Sequence, residues 1–243
     1  MKLKVIACEV FFREVCHLAA ESPHSCDPLF LPKGLHDLGV EKMLPRLQKE
    51  IDAVPAATYD AVVLAYGLCN NGVAGLTARN TKLVMPRAHD CITIFLGSRG
   101  GYEKCFAEHP GTYYRTTGWL ERNDAEGAGD ETVQQRLGLA MKYDELVQQY
   151  GEENAAYIME TMGDLTAHYD RLAFIRMGLG CEDRFCRMAR EEAEQKGWAF
   201  EEIEGSMTLL RKLLQGDWDD DILIVEPGQS IRPTYNDDVI RAE

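Results

Sequence analysis

From residue 2 to residue 8 the chain first alternates and then turns wholly apolar, the pattern of a buried strand, and Phe11, Phe12, Val15, Leu18 and Ala19 follow at helical spacing. A first strand and a first helix are expected there. Residues 28–31 predict a short second strand, and Met43, Leu44, Leu47 and Ile51 an amphipathic helix that stops before Pro55. Residues 61–65 are an apolar run with two valines, set before a glycine-rich stretch holding Gly67, Gly72 and Gly75, which predicts a central strand. Residues 82–85 make the next strand, ended by Pro86, after which Asp90 is placed to cap a helix carrying Ile92, Phe95 and Leu96. Residues 111–119, rich in Thr and Tyr, predict another strand.

Past a joint at 127–129 the pattern changes. Leu137, Met141, Leu146 and Tyr150, then Ile158, Met162 and Leu165, predict two helices punctuated at Gly151. A helical hairpin over 127–170 is thus expected between an N-terminal α/β lobe (1–126) and a smaller C-terminal α/β lobe (171–243). In the latter, strands at 172–177, 200–203 and 222–225 alternate with helices at 182–196, closed by Gly197, and at 207–214. Strands separated by helices of this length imply mostly parallel pairing with right-handed crossovers: a Rossmann-like α/β fold in two lobes.

Composition narrows the function. The 243 residues carry 40 Asp plus Glu against 26 Lys plus Arg, a formal charge of -14. That balance opposes broad attraction to a phosphate backbone, so no nucleic-acid partner is expected, although a local basic pocket fits inside an acidic shell. The apolar run at 5–8 is broken at once by Glu9, Arg13 and Glu14, and nothing approaches the roughly 20 apolar residues of a spanning helix. Neither a membrane partner nor an export signal is expected. Eight cysteines are far too few for a disulfide scaffold of this length, so a reduced, cytoplasmic protein is expected, with its thiols serving a metal or catalysis. The acidic runs at 217–221 and 236–238 lack the spaced carboxylates of a calcium loop and read as solvated turns.

Ligands of open α/β sheets lie outside the carboxyl ends of the strands, so polar residues that directly follow a strand are the candidates. Cys8 and Glu9 end the first strand, His36 follows the second, Cys69 the third, and Arg87, His89, Asp90 and Cys91 the fourth. Cys8, His36, Cys69, His89 and Cys91 form the expected constellation. Soft thiolates with an imidazole suit zinc, with Cys69, His89 and Cys91 as three protein ligands and Cys8 or His36 as a fourth or as support. Each cysteine taken alone reads more simply as a small core residue. Arg87, with Glu9, Ser98 and Arg99, is placed to bind a substrate, and 112–114 either lines the cleft or packs as ordinary strand, with packing favoured.

Elsewhere, His24-Ser25-Cys26 reads as surface loop, and Cys16 and Cys105 as packed on helices. Cys181 follows Gly178 and Gly180 at a helix start, where backbone N–H groups favour a thiolate or an anion. Cys186 lies about 140° round that helix, so the two would not share one ion. The stretch 178–183 has Asp183 where a dinucleotide fingerprint needs its third glycine, so no nicotinamide site is expected.

At Tyr66-Gly67-Leu68-Cys69, Pro86-Arg87-Ala88-His89-Asp90-Cys91, Leu96-Gly97-Ser98-Arg99 and Pro110-Gly111-Thr112-Tyr113-Tyr114 the sequence resembles the bacterial and archaeal DUF1638 family. The likeness runs on through 206–214 to Pro227-Gly228. It supports Cys8, His36, Cys69, His89 and Cys91 as motif positions, while Cys181 and Cys186 fall outside the family pattern. The resemblance also implies a place beside corrinoid-dependent methyltransferase systems, and hence one-carbon transfer with a corrinoid-protein partner. Four functions compete: a zinc–thiolate enzyme or accessory protein for methyl transfer, an iron-sulfur protein, a metal-free Cys69 nucleophile with His89 as base, and a non-enzymatic module closing over a small ligand or metal.

Overall fold

A computed structural model describes residues 1–122, 151–152, 168–234 and 236–243. Its centre is a five-stranded sheet of order β2-β1-β3-β4-β8, built from β1 (Lys2–Cys8), β2 (Ser25–Leu31), β3 (Ala61–Ala65), β4 (Leu83–Pro86) and β8 (Ile222–Val225). The first four strands run parallel, and β8 closes the edge antiparallel to β4. Every residue of β3 and β4 is buried, as continuous apolar runs in a sheet covered on both faces must be. The chain passes from β1 outward to β2 and then back across to β3. The direction of winding therefore reverses between β1 and β3, and that crevice is where an open parallel sheet offers a ligand site.

Helices α1 (Phe12–Glu21) and α2 (Val40–Asp52) follow β1 and β2, and a 3-10 turn, Glu9–Phe11, leads from β1 into α1. Met43, Leu47 and Ile51 bury one stripe of α2, as their spacing predicts. After β4, Asp90 caps α3 (Cys91–Phe95) by accepting the Thr93 N–H at 2.8 Å, again as expected. Ser98 caps α4 (Arg99–Glu108) in the same way.

A second, three-stranded parallel sheet has the order β5-β6-β7, from Thr112–Arg115, Arg171–Arg176 and Ala199–Glu204. Helix α5 (Thr117–Glu121) follows β5, α6 (Glu182–Lys196) joins β6 to β7, and α7 (Thr208–Gln215) returns the chain to the first sheet. Gly197, at φ 69°, stops α6 in the left-handed conformation its position suggested. A short hairpin of β9 (Ile231–Pro233) and β10 (Ile240–Ala242) ends the chain. No helix among the described residues is long and apolar enough to cross a membrane.

Mixed α/β architecture with a mostly parallel central sheet is as expected, but two strands sit in the other sheet from the one anticipated. Thr112–Arg115 pairs with β6 although it precedes residue 126, and Ile222–Val225 pairs with β4 although it follows residue 171. Strand membership follows side-chain burial across the whole chain, and sequence proximity does not reveal it. The strand expected over 111–119 stops at Arg115, where Thr116 turns the chain into α5. Ser25 and Cys26 belong to β2 rather than to a loop, with Cys26 beside Leu3 at the strand's amino end, and Cys16 is exposed rather than packed. The helical hairpin expected over 127–170 lies almost wholly outside the described residues.

Between the two sheets, the Arg13 guanidinium forms a two-pronged salt bridge to Glu121. Next to it Glu14 is 1% exposed, and its Oε2 has no hydrogen-bond partner. Burial, reinforced by the charge of Glu182, pushes its carboxyl up to about 7. Glu182 is itself buried and accepts the N–H groups of Met177 and Gly178 at 2.6 and 3.0 Å.

Candidate functional site

A cavity of about 660 Å³ opens outside the carboxyl ends of β1 and β3, with the second sheet as its far wall. Its floor holds Cys8, Tyr66, Cys69 and Cys91, and its far wall Thr112, Tyr113, Tyr114 and Arg115 of β5 together with Tyr169. Each floor residue is delivered by local geometry. Cys8 is the last residue of β1, Tyr66 directly follows β3, and Cys91 is the first residue of α3. Cys69, Asn70 and Asn71 take φ angles of 45°, 54° and 64°, three successive residues in the left-handed region. Side chains resist that region by about 1–2 kcal/mol each, so the surrounding fold holds this loop in place. The Leu68 and Cys69 N–H groups anchor it on the carbonyls of Ala88 and His89, at 2.8 and 2.9 Å. Gly67 permits the approach: a Cβ there would lie 2.7 Å from the backbone of Asp90.

The three sulfurs share one environment. Burial pushes the Cys8 and Cys69 thiols up to about 12, with Cys69 adding to the effect at Cys8, and Asp90 adding to it at Cys69. Burial, then the charges of Cys69, Asp90 and Cys8, drives Cys91 upward as well. Opposing this, polar groups draw each thiol back down: the Val10 backbone at Cys8, the Gly67 and Cys91 backbones at Cys69, and the Trp119 side chain at Cys91. Trp119 is brought there because α5 packs hard against the turn after β1, where a Cβ on Gly118 would collide with the Val10 carbonyl at 1.8 Å.

Lys33 is also inside the site, only 4% exposed. Its Nζ donates to the Trp119 carbonyl at 2.8 Å and lies 5.2 Å from the Trp119 ring centre, while its N–H donates to Glu9 Oε1 at 2.9 Å. Arg115 sits over the Tyr113 ring and pairs with Glu192 through two nitrogens, at 2.8 and 2.9 Å. A chain of strongly negative charge thus places two cations and one carboxylate, Asp90, along this cavity.

A family model described as "Protein of unknown function (DUF1638)" matches residues 30–214. The chain belongs to the DUF1638 family. Among curated proteins and among solved structures, nothing matches it. Two of the floor cysteines of this DUF1638 member, Cys69 and Cys91, fall within the matched span, and Cys8 precedes it.

Of the residues singled out from sequence, the structure gathers Cys8, Cys69, His89 and Cys91 at the cavity, with His89 exposed at the rim and the three cysteines inward of it. His36 lies in the turn Lys33–Leu38, its side chain outside the described part. Among the described residues, no three His, Cys, Asp or Glu side chains are drawn tightly enough together to hold a metal ion as they stand. The residues expected to grip a substrate go elsewhere. Arg87 donates to the carbonyls of Asp238 and Ile240, tying down the C-terminal hairpin. Arg99 donates to the Asp237 carbonyl, Ser98 caps α4, and Glu9 holds the Lys33 backbone. Cys181 stands exposed, its sulfur 4.0 Å from Arg13, and Cys186 is buried in the second sheet's core.

Sequence reasoning missed Lys33, Tyr66 and Trp119, and for Thr112 to Tyr114 it favoured strand packing over lining the cleft. Tyr66 carried a usable signal, being the first residue after a central strand. The β5 wall carried none, because its placement depends on the second sheet.

Proposed function

We propose that Cys8, Cys69 and Cys91 act together as a soft-metal site, with zinc the ion their chemistry favours, in a protein working in or beside methyl transfer. The observation that supports this is the gathering of three cysteines on one cavity, from the end of β1, the loop after β3 and the start of α3. Thiolates are the soft donors that zinc prefers, and polar groups beside such ligands orient them. Desolvation and mutual repulsion oppose three thiolates in one place, and a divalent cation among them reverses both effects. His89 at the rim, or His36, would supply a further nitrogen ligand to an ion held by the three sulfurs. The rest of the cavity would receive a small molecule whose soft nucleophile such an ion would activate, and a corrinoid protein is the expected partner.

Burial of the Cys69 thiol leaves little thiolate near neutral pH, which weighs against a metal-free cysteine nucleophile. Because protons must leave, the apparent zinc affinity rises steeply with pH, up to about tenfold per unit for each thiol displaced. Elemental analysis of anaerobically purified wild type and Cys69→Ser protein tests the reading. About one zinc per chain, lost in the variant, is expected from a closed three-thiolate site. Iron with acid-labile sulfide replaces zinc by a cluster, and a metal-free wild type that resists reconstitution with Zn²⁺ overturns the metal site.

A further inference from the structure

The cavity has two faces of unlike chemistry. Its floor carries sulfur, whereas its outer and far walls are aromatic, from Tyr102 and Phe106 on α4 to Tyr113, Tyr114 and Tyr169. Those rings are already ordered. Tyr102 and Phe106 stack at 6.1 Å, and Tyr113 meets Tyr169 edge-on at 5.1 Å and Trp198 at 5.8 Å. Burial holds the phenols of Tyr102, Tyr113 and Tyr114 above their ordinary range, so these rings stay neutral. A preordered wall of neutral rings is matched by another flat π system.

The floor adds a polar requirement. Tyr66 is 3% exposed, and its buried Oη has no hydrogen-bond partner, although the residue borders the cavity close to Cys8 and Cys69. A buried hydroxyl without a partner is costly to keep. Tyr66 is therefore a donor without an acceptor, beside the reactive end of the cavity.

We infer that the cavity binds a planar aromatic or conjugated molecule whose ring lies along the tyrosine wall and whose acceptor oxygen meets Tyr66 Oη beside Cys8 and Cys69. The inference rests on the reading of this cavity as the ligand site, and it does not require the metal. A volume of about 660 Å³ suits a ligand of one or two rings. Tyr66 acts as a positioning donor, setting which end of the ligand approaches the sulfurs.

Benzamide, cyclohexanecarboxamide and toluene, titrated into the full chain and followed by NMR, separate the two requirements. Benzamide offers ring and acceptor, cyclohexanecarboxamide the acceptor alone, and toluene the ring alone. Benzamide is expected to bind roughly tenfold more tightly than its saturated counterpart. Tyr66→Phe, which keeps the ring, is expected to weaken benzamide about fivefold and to leave toluene unchanged. Tyr102→Leu should erase the preference for benzamide over the saturated amide. Equal affinity for the two amides, no binding of either, or equal loss of benzamide and toluene in Tyr66→Phe overturns the inference. Metal content read on the same preparation keeps the two proposals apart: zinc-loaded protein that ignores benzamide refutes this one alone, and protein that binds benzamide but refuses zinc refutes the metal site alone.

Discussion

The two sheets are both parallel at heart, yet they are held by different means. The five-stranded sheet buries β3 and β4 completely and shares one continuous core that reaches from Leu3 to Ile240. Among the described residues, the three-stranded sheet has on one face a core of six buried residues, Leu172, Phe174, Phe185, Cys186, Ala189 and Ala193, and no residue of β7 is fully buried. Around it run ion pairs: Arg171 with Glu201 at 2.9 Å, Arg176 and Arg190 with Glu202 at 2.6 and 3.0 Å, and Arg115 with Glu192 at 2.8 Å. The sulfurs stand on the thickly cored sheet and the aromatic wall on the thin one. On the proposed reading, position is fixed most firmly where three sulfurs would share one ion, and less firmly where the aromatic surface would receive a ligand.

This contrast breaks first in the cores. Leu64→Ala on β3 is expected to cost about 2–5 kcal/mol in urea denaturation, because a fully enclosed site cannot collapse around the missing carbons. Leu172→Ala removes the same atoms from the smaller core, nearer to surface that can relax, and falls toward the lower end of that range. A larger loss at Leu172 than at Leu64 would reverse the ranking of the two sheets.

The seam between them gives the next effect. Glu14 has a carboxyl raised to about 7 in the fold and an ordinary value, near 4.5, when unfolded. Between those values the folded state keeps a proton the unfolded state has lost. Its contribution to stability is therefore complete below about pH 4.5 and is lost as pH rises through 7, by ~3 kcal/mol at most. Glu14→Gln should erase that slope and stabilise the protein at pH 8 relative to wild type, measured as the pH dependence of the urea midpoint. Parallel curves for the two proteins would show that the carboxyl is not buried as described.

The smallest effect belongs to the rim of the second sheet. Arg171→Ala should cost about 0–1 kcal/mol and less in high salt, since the pair is part-exposed. A salt-sensitive loss above about 2 kcal/mol would mean that the thin sheet is held by its charges rather than by its six-residue core.

Local features were legible in the sequence because their causes are local. The apolar run at 61–65, the Asp90 cap and the Gly197 stop each depend on a few neighbouring residues. The partners of β5 and β8 were not legible, since Leu83 meets Val225 and Thr112 meets Arg171 only in three dimensions. Of the site, Cys8, Cys69 and Cys91 could be found by looking just past the carboxyl end of each strand, as parallel topology sends all those ends the same way. The same rule overshoots at Arg87, whose guanidinium turns to backbone carbonyls of a hairpin some 150 residues along the chain, a span far beyond any local pattern. It leaves out Trp119, which reaches the floor from a helix of the opposite wall, whereas Lys33, two residues past β2, was passed over for His36.

The antiparallel edge strand β8 has a consequence for biosynthesis. At 5–20 residues per second, the roughly 140 residues between Leu83 and its partner Val225 take about 7–28 s to emerge from the ribosome. Throughout that interval the outer edge of β4 waits unpaired, a row of open hydrogen-bonding groups on a strand of Leu, Val, Met and Pro. The nascent chain is then most exposed to association with its own copies or capture by a chaperone, and the hazard ends only when β8 arrives to cover that edge.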